Sequence, residues 1–240
     1  MNIATLNETT LLVVKFRLKG TLRFLSHAET LKIFQRACVR AGIDIQYSQG
    51  FNPRPKISLP LPRPVGIESD NELLCIRIHK DIPAQEQKSI SDANDSRHRD
   101  LCNSIKDKLS MQLPEGCELL SVSTPQADES FQPYSATYVL AVKAEYLNEG
   151  LRARIERLLA SESINLQRQT DKKNSKLKNV NVRDFLKSIK IDDRGIIVEC
   201  NISSAGSIRI EEILRLLELD EGKLALPIRR TNVQWKTEES

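Results

Sequence analysis

From Val14 the chain alternates. Val14, Phe16 and Leu18 are apolar, while Lys15, Arg17 and Lys19 are cationic. That period of two predicts a strand over 11–18 with one face on a core. Its cationic face has two readings: a surface that meets phosphates, or an edge strand guarded by lysines. Past Gly20-Thr21 the spacing changes. Leu31, Phe34, Ala37, Cys38 and Ala41 recur at helical intervals and mark a buried stripe. Ser26 and Glu29 stand in Ser-x-x-Glu spacing just before that stripe, the signature of a capping box. Gly42 is placed to stop the helix. Lys32, Arg36 and Arg40 fall every four residues and line up along another face.

The pattern then yields shorter elements. Brief strands are predicted at 44–48 and 57–59, around a segment with five prolines between Gln49 and Pro64. A strand at 73–78, a helix at 100–109 and a strand at 117–122 follow, with a polar loop over 80–97. This order is β-α-β-β-α-β, that of a ferredoxin-like domain with both helices on one face of an antiparallel sheet. Residues 125–133 read as a linker. The second half reads as a strand at 134–143, a helix at 147–160, a strand at 164–169, a basic insert near 171–182 and a short helix at 182–189. A strand at 196–202, a helix at 208–219 and a strand at 227–235 close it. The expected fold is therefore α+β, with two ferredoxin-like domains over 11–124 and 134–236.

Charge changes the picture more than composition does. The net charge of +4 is modest. Yet residues 12–66 hold ten lysines and arginines against two acids, and residues 161–190 hold eight against three. Two cationic stretches in an otherwise acidic chain suggest an anionic partner, with nucleic acid ahead of a phosphorylated small molecule. Solvated faces are the plainer reading. The five cysteines are odd in number, and no CxxC is present, so a disulfide framework, a zinc site or an iron–sulfur cluster is not expected. No leader and no long apolar run is visible. A reducing cytoplasm is the expected location, without a membrane partner.

Candidate chemistry concentrates at 26–66. His27 follows the cap at a helix N-terminus, where the dipole favours a neutral imidazole; it either takes part in recognition or catalysis, or covers the first turn. The loop from Ser48 to Lys56 carries Gln49 and Asn52 as amide donors and Arg54 and Lys56 as cations, with Arg63 further on. Gly50 gives its backbone freedom to approach an anion. Phe51 is either a plug beneath the loop or, if exposed, a platform for a base. The loop matches neither GxxxxGK[ST] nor GxGxxG, and no GxSxG is present. In the second half Lys172, Lys173, Lys176 and Lys178 form a basic run that also reads as a solvated loop. Arg183, Arg209 at a helix start and Arg230 in the last strand complete the set of expected nucleic-acid contacts, with His27, Arg36, Arg40, Gln49, Asn52, Arg54 and Lys56. No metal or other cofactor is expected.

Several of these residues carry a family resemblance. Phe24-Leu25-Ser26-His27 with Glu29, Arg36-Ala37, Arg40-Ala41-Gly42, Tyr47-Ser48-Gln49-Gly50-Phe51-Asn52-Pro53 with Pro55, and Gly66 with Ser69 resemble the radical-SAM-associated domain family. The likeness covers 14–78 well, thins over 80–125 and returns weakly at Val182-Arg183, 206–209, 212–214 and Arg230-Thr231. Members usually carry an acid where Asn181 stands. That family occurs alone or behind a B12-binding radical SAM enzyme, in some bacteria beside ribosome and RNA-processing genes. The resemblance thus implies work on tRNA or rRNA with a separate radical SAM protein, since this chain lacks CxxxCxxC. The expected role is an accessory RNA-binding protein without catalysis of its own. Two alternatives stand beside it: a metal-independent endoribonuclease with His27 as base, and an adaptor that docks the radical SAM partner.

Overall fold

The computed structural model describes residues 9–79, 96–125, 130–169, 177–192 and 195–238. The chain divides into two compact units. One comprises Met1–Val65, Ser69–Phe131 and Thr237–Ser240; the other comprises Gly66–Glu68 and Gln132–Lys236. The fold is α+β, with four α-helices among the described residues.

In the first unit, strand β1 (Thr9–Leu18) is followed by helix α1 (His27–Arg40), β2 (Ile57–Ser58), β3 (Glu68–His79), α2 (Ser96–Ser110) and β4 (Cys117–Ser123). β1 lies between β4 and β3, and β2 pairs with the later half of β3; all of these pairings are antiparallel. The alternation read from Val14 is what positions the helices. Val14, Phe16 and Leu18 share one buried cluster with Phe34, Ala37 and Cys38 of α1 and with Cys102, Ile105 and Leu109 of α2. Both helices therefore cover the same face of β1. The rings of Phe16 and Phe34 meet edge to face at 4.7 Å, a favoured aromatic geometry. The expected strand at 44–48 is reduced to two isolated bridges, Ile45 with Ile78 and Tyr47 with Pro55.

The central place of β1 removes the edge-strand reading of its cationic face. Two of the three cations there are engaged by acids: Arg17 pairs with Glu118 of β4 at 3.0 Å and lies 4.0 Å from Asp70 of β3, and Lys19 lies 3.6 Å from the same Asp70. Lys15 is exposed.

In the second unit the order is β5 (Ser130–Leu140), α3 (Glu149–Ala160), β6 (Asn165–Gln169), β7 (Leu177–Asn181), β8 (Leu186–Asp192), β9 (Gly195–Asn201), α4 (Ile210–Leu217) and β10 (Arg229–Glu238). β5 lies between β10 and β9, with β8 beyond β9, while β6 and β7 form a separate two-stranded antiparallel hairpin. Two expectations are corrected here. The segment 164–169 is a strand, but of that hairpin and not of the main sheet. The helix expected at 182–189 is a 3-10 turn (Arg183–Phe185) that runs straight into β8. The cause is a bulge. β8 shifts register against β9 between Leu186 and Ser188, so the buried Leu186 and Ile189 stand three apart instead of two. An extra residue in a strand mimics helical spacing. The basic insert falls partly on β7; residues 170–176 lie outside the described residues. So do 80–95 of the expected loop and 126–129 of the expected linker.

Candidate nucleic-acid interface

α1 is built as its sequence predicts. Ser26 Oγ accepts from the Glu29 N–H at 3.3 Å, and the Glu29 carboxylate accepts from the Ser26 N–H at 2.8 Å. This reciprocal cap also takes the helix N-terminus out of contention as an anion site, because Glu29 already occupies it. Hydrogen bonds from the Ser26 side chain and backbone hold the Glu29 carboxyl below its ordinary range. Gly42, at φ +70°, ends the helix in the left-handed conformation that glycine tolerates. Phe34, Ala37 and Cys38 turn inward, and Lys32, Arg36 and Arg40 are exposed. The charge of Lys32 acts on Glu29 one turn earlier, while no acid among the described residues pairs with Arg36 or Arg40. Arg40 is nevertheless fixed: it donates to Gln112 Oε1 at 3.1 Å and to Gln112 O at 2.6 Å. Arg36 and Arg40 thereby frame a shallow depression of about 440 Å³ floored by Ile33, Met111, Gln112, Leu113 and Pro114.

The loop that follows is a braced hairpin. Tyr47 and Pro55 form a bridge, the Ser48 N–H donates to Arg54 O at 2.8 Å, and the Arg54 N–H donates to Ser48 Oγ at 2.9 Å. Its base is sewn to β3, with the Gln46 N–H donating to Arg77 O at 2.8 Å and the Arg77 N–H to Lys56 O at 2.9 Å. Ser48 therefore braces the loop and does not wait for a ligand. Gln49, Asn52, Arg54 and Lys56 are all exposed. Phe51 is no plug: its relative exposure is 105%, the whole ring standing in water. Gly50 takes φ +126°, which turns the chain at the tip.

Other expected contacts serve the fold. Arg63 is buried, and donates to Arg23 O at 2.7 Å, Leu25 O at 3.0 Å and Leu22 O at 3.3 Å. It pins the proline segment to the turn before α1. Arg183 donates to Ser161 O, Leu186 O and Leu159 O at 2.8–3.0 Å, closing the carbonyl end of α3. Arg230 is completely buried in β10, so it offers no phosphate contact. Arg209 is exposed and precedes α4. The expected anion place at that helix start is filled from within: the Arg209 N–H donates to Glu212 Oε2 at 2.9 Å. Lys172 and Lys173 lie outside the described residues, as does Lys176; Lys178 is exposed on β7. His27 is half-buried, and its Nδ1 is buried without a hydrogen-bond partner among the described residues.

The sequence reading missed the buried ion pair that holds Glu212. Arg168 of β6 donates to Glu212 Oε1 and Oε2, both at 2.7 Å, and to Ser207 O at 2.8 Å. Burial pushes the Glu212 carboxyl up, but the Arg168 and Arg209 hydrogen bonds and charges outweigh it and hold the group below its ordinary value. The spacing from Arg209 to Glu212 repeats that from Ser26 to Glu29 and was the available signal; Arg168 stands 44 residues away and left none. Asn181 has a similar role. Its Oδ1 accepts from the N–H groups of Ile164 at 2.9 Å and Arg183 at 3.1 Å, work that a carboxylate does equally well.

The thiols are held protonated by burial, Cys38, Cys117 and Cys200 pushed up to about 12 and Cys75 to about 11. Among the described residues no three His, Cys, Asp or Glu side chains gather as a metal-binding group. No helix of the described residues is long and apolar enough to cross a membrane.

A family model matches residues 12–101 and 98–216. The chain belongs to the DUF2344 family. Its description is that of an uncharacterized protein conserved in bacteria. The match takes in α1, the Phe51 loop, Arg168 and the start of α4. No curated protein matches the chain.

Proposed function

We propose that this DUF2344 protein is a cytoplasmic accessory RNA-binding protein that serves tRNA or rRNA modification or processing beside a separate radical SAM enzyme. The observation that carries this reading is a division among the cations. Arg36, Arg54 and Lys56 are exposed and have no acid partner among the described residues, and Arg40 is oriented by Gln112 with no acid beside it. Cations left unpaired at such a face are what phosphate binding needs. Ferredoxin-like architecture is part of the proposal. In both units the strand that begins the order lies inside, flanked by the last and third strands, once the β6–β7 hairpin is set aside. The test is crosslinking and sequencing of RNA that co-purifies with the protein from cells. Enriched tRNA or rRNA fragments are expected; recovery no greater than from an unrelated basic protein contradicts the reading.

One observation favours a second reading, a metal-independent endoribonuclease. His27 is half-buried at the start of the helix that bears the exposed Arg36 and Arg40, and its buried Nδ1 has no hydrogen-bond partner among the described residues. Labelled RNA incubated with chelator tests it: cleavage lost in His27→Ala supports it, and absent or equal cleavage ends it.

A further inference from the structure

We infer that the Phe51 loop is a stacking platform for an unpaired RNA base, so that the protein selects single-stranded segments over duplex. This rests on the RNA-binding reading above and adds the class of RNA.

The first support is the cost of the exposure. The chain has six phenylalanines. Phe16, Phe34 and Phe185 are buried, Phe131 is half-buried, and Phe24 carries the Arg23 guanidinium 4.3 Å from its ring centroid. Phe51 alone presents a whole ring to water. A ring in that position contributes nothing to the core and gains only when a ligand covers it.

Presentation is the second support. The ring rides on a hairpin closed at Tyr47 and Pro55, cross-braced between Ser48 and Arg54 and tied to β3 through Gln46 and Lys56. Pro53 and Pro55 stiffen it further. A platform ordered in advance loses little freedom when a ligand arrives.

The flanks decide the kind of ligand. A protein-docking site gathers several apolar side chains. Here the exposed loop residues around Phe51 are Gln49, Asn52, Arg54 and Lys56, with Pro53 and a second aromatic, Tyr47, and no Asp or Glu occurs between Asp44 and Glu68. An aromatic face set among amides and cations suits a flat base whose backbone carries phosphates. Within an RNA duplex both faces of each base are already stacked, and the major groove is too deep and narrow for side chains. Only a loop, bulge or frayed end offers a base that Phe51 can cover.

Fluorescence anisotropy with a short single-stranded RNA and a blunt duplex of the same sequence tests the inference. Wild type is expected to favour the single strand. Phe51→Ala should weaken single-strand binding roughly tenfold, leaving duplex affinity unchanged, and Phe51→Trp should keep it. Circular dichroism of both variants should match wild type, since the ring packs on nothing. If wild type binds RNA but Phe51→Ala binds the single strand equally well, or duplex is preferred, the stacking inference is overturned and the RNA reading stands. If wild type binds neither RNA, the RNA reading itself fails.

Discussion

The arginines of α1 and two arginines of the second unit, Arg168 and Arg183, look alike along the sequence, and they do opposite work. Arg36 points its charge into water, and Arg40 is aimed there by Gln112. Arg168 is half-buried in a bidentate pair with the buried Glu212, and Arg183 spends its donors on three carbonyls. The difference lies in the surroundings. α1 lies on a sheet face that needs only its apolar stripe, so its cations are surplus to folding. The β6–β7 hairpin has little apolar surface of its own, its residues mostly exposed or half-buried, and a charge pair anchors it to α4. Counting charges along a chain cannot separate the two kinds.

The strongest way to break this comparison is to remove a cation from each side. Arg168→Met leaves the buried Glu212 carboxylate with only Arg209 beside it, and should cost about 3 kcal/mol in urea denaturation. Arg36→Gln should change stability by no more than ~0.5 kcal/mol. Similar losses from both would erase the distinction. Arg63→Ala comes next. It strips donors from the carbonyls of Leu22, Arg23 and Leu25 beneath the start of α1, and about 2–3 kcal/mol should be lost in the same assay.

Acid titration sharpens the comparison at the two glutamates that cap helices. Both carboxyls are held below the ordinary value of 4.5. Each therefore stabilises the fold fully above that value, and the contribution is lost as pH falls through the lowered folded pKa. Glu212 is buried and Glu29 exposed, so nearly all the acid sensitivity from this pair should belong to Glu212. Glu212→Gln should flatten the dependence of urea midpoint on pH below about 4.5, and Glu29→Gln should leave it almost as in wild type. The reverse result would place the buried pair wrongly. A smaller loss than at Arg168 or Arg63 is expected at Ser26→Ala, about 1 kcal/mol from losing one cap.

Much of the first unit was legible. The alternation from Val14 and the stripe from Phe34 to Cys38 reflect burial on one face, which local pattern records directly. The Ser26–Glu29 cap is local too. What was hidden depended on distance or on irregularity. The acids that neutralise Arg17 and Lys19 arrive from β3 and β4. The bulge in β8 gave a strand the spacing of a helix. Arg183 and Arg230 carry the same letter as an arginine that waits for phosphate, and only the tertiary fold shows that one bonds buried carbonyls and the other is buried. Phe51 was ambiguous for the same reason: exposure is a property of the tertiary fold.

The central claim is that the exposed Arg36 and Arg40 of α1 and Arg54 and Lys56 of its loop bind phosphate. The slope of log Kd against log salt for single-stranded RNA tests it directly, comparing wild type with the Arg36→Gln, Arg54→Gln double variant. Loss of two phosphate contacts should flatten the slope by about 1.4. An Arg209→Gln variant should keep the wild-type slope. A double variant whose slope equals that of wild type, with RNA still bound, would contradict the account.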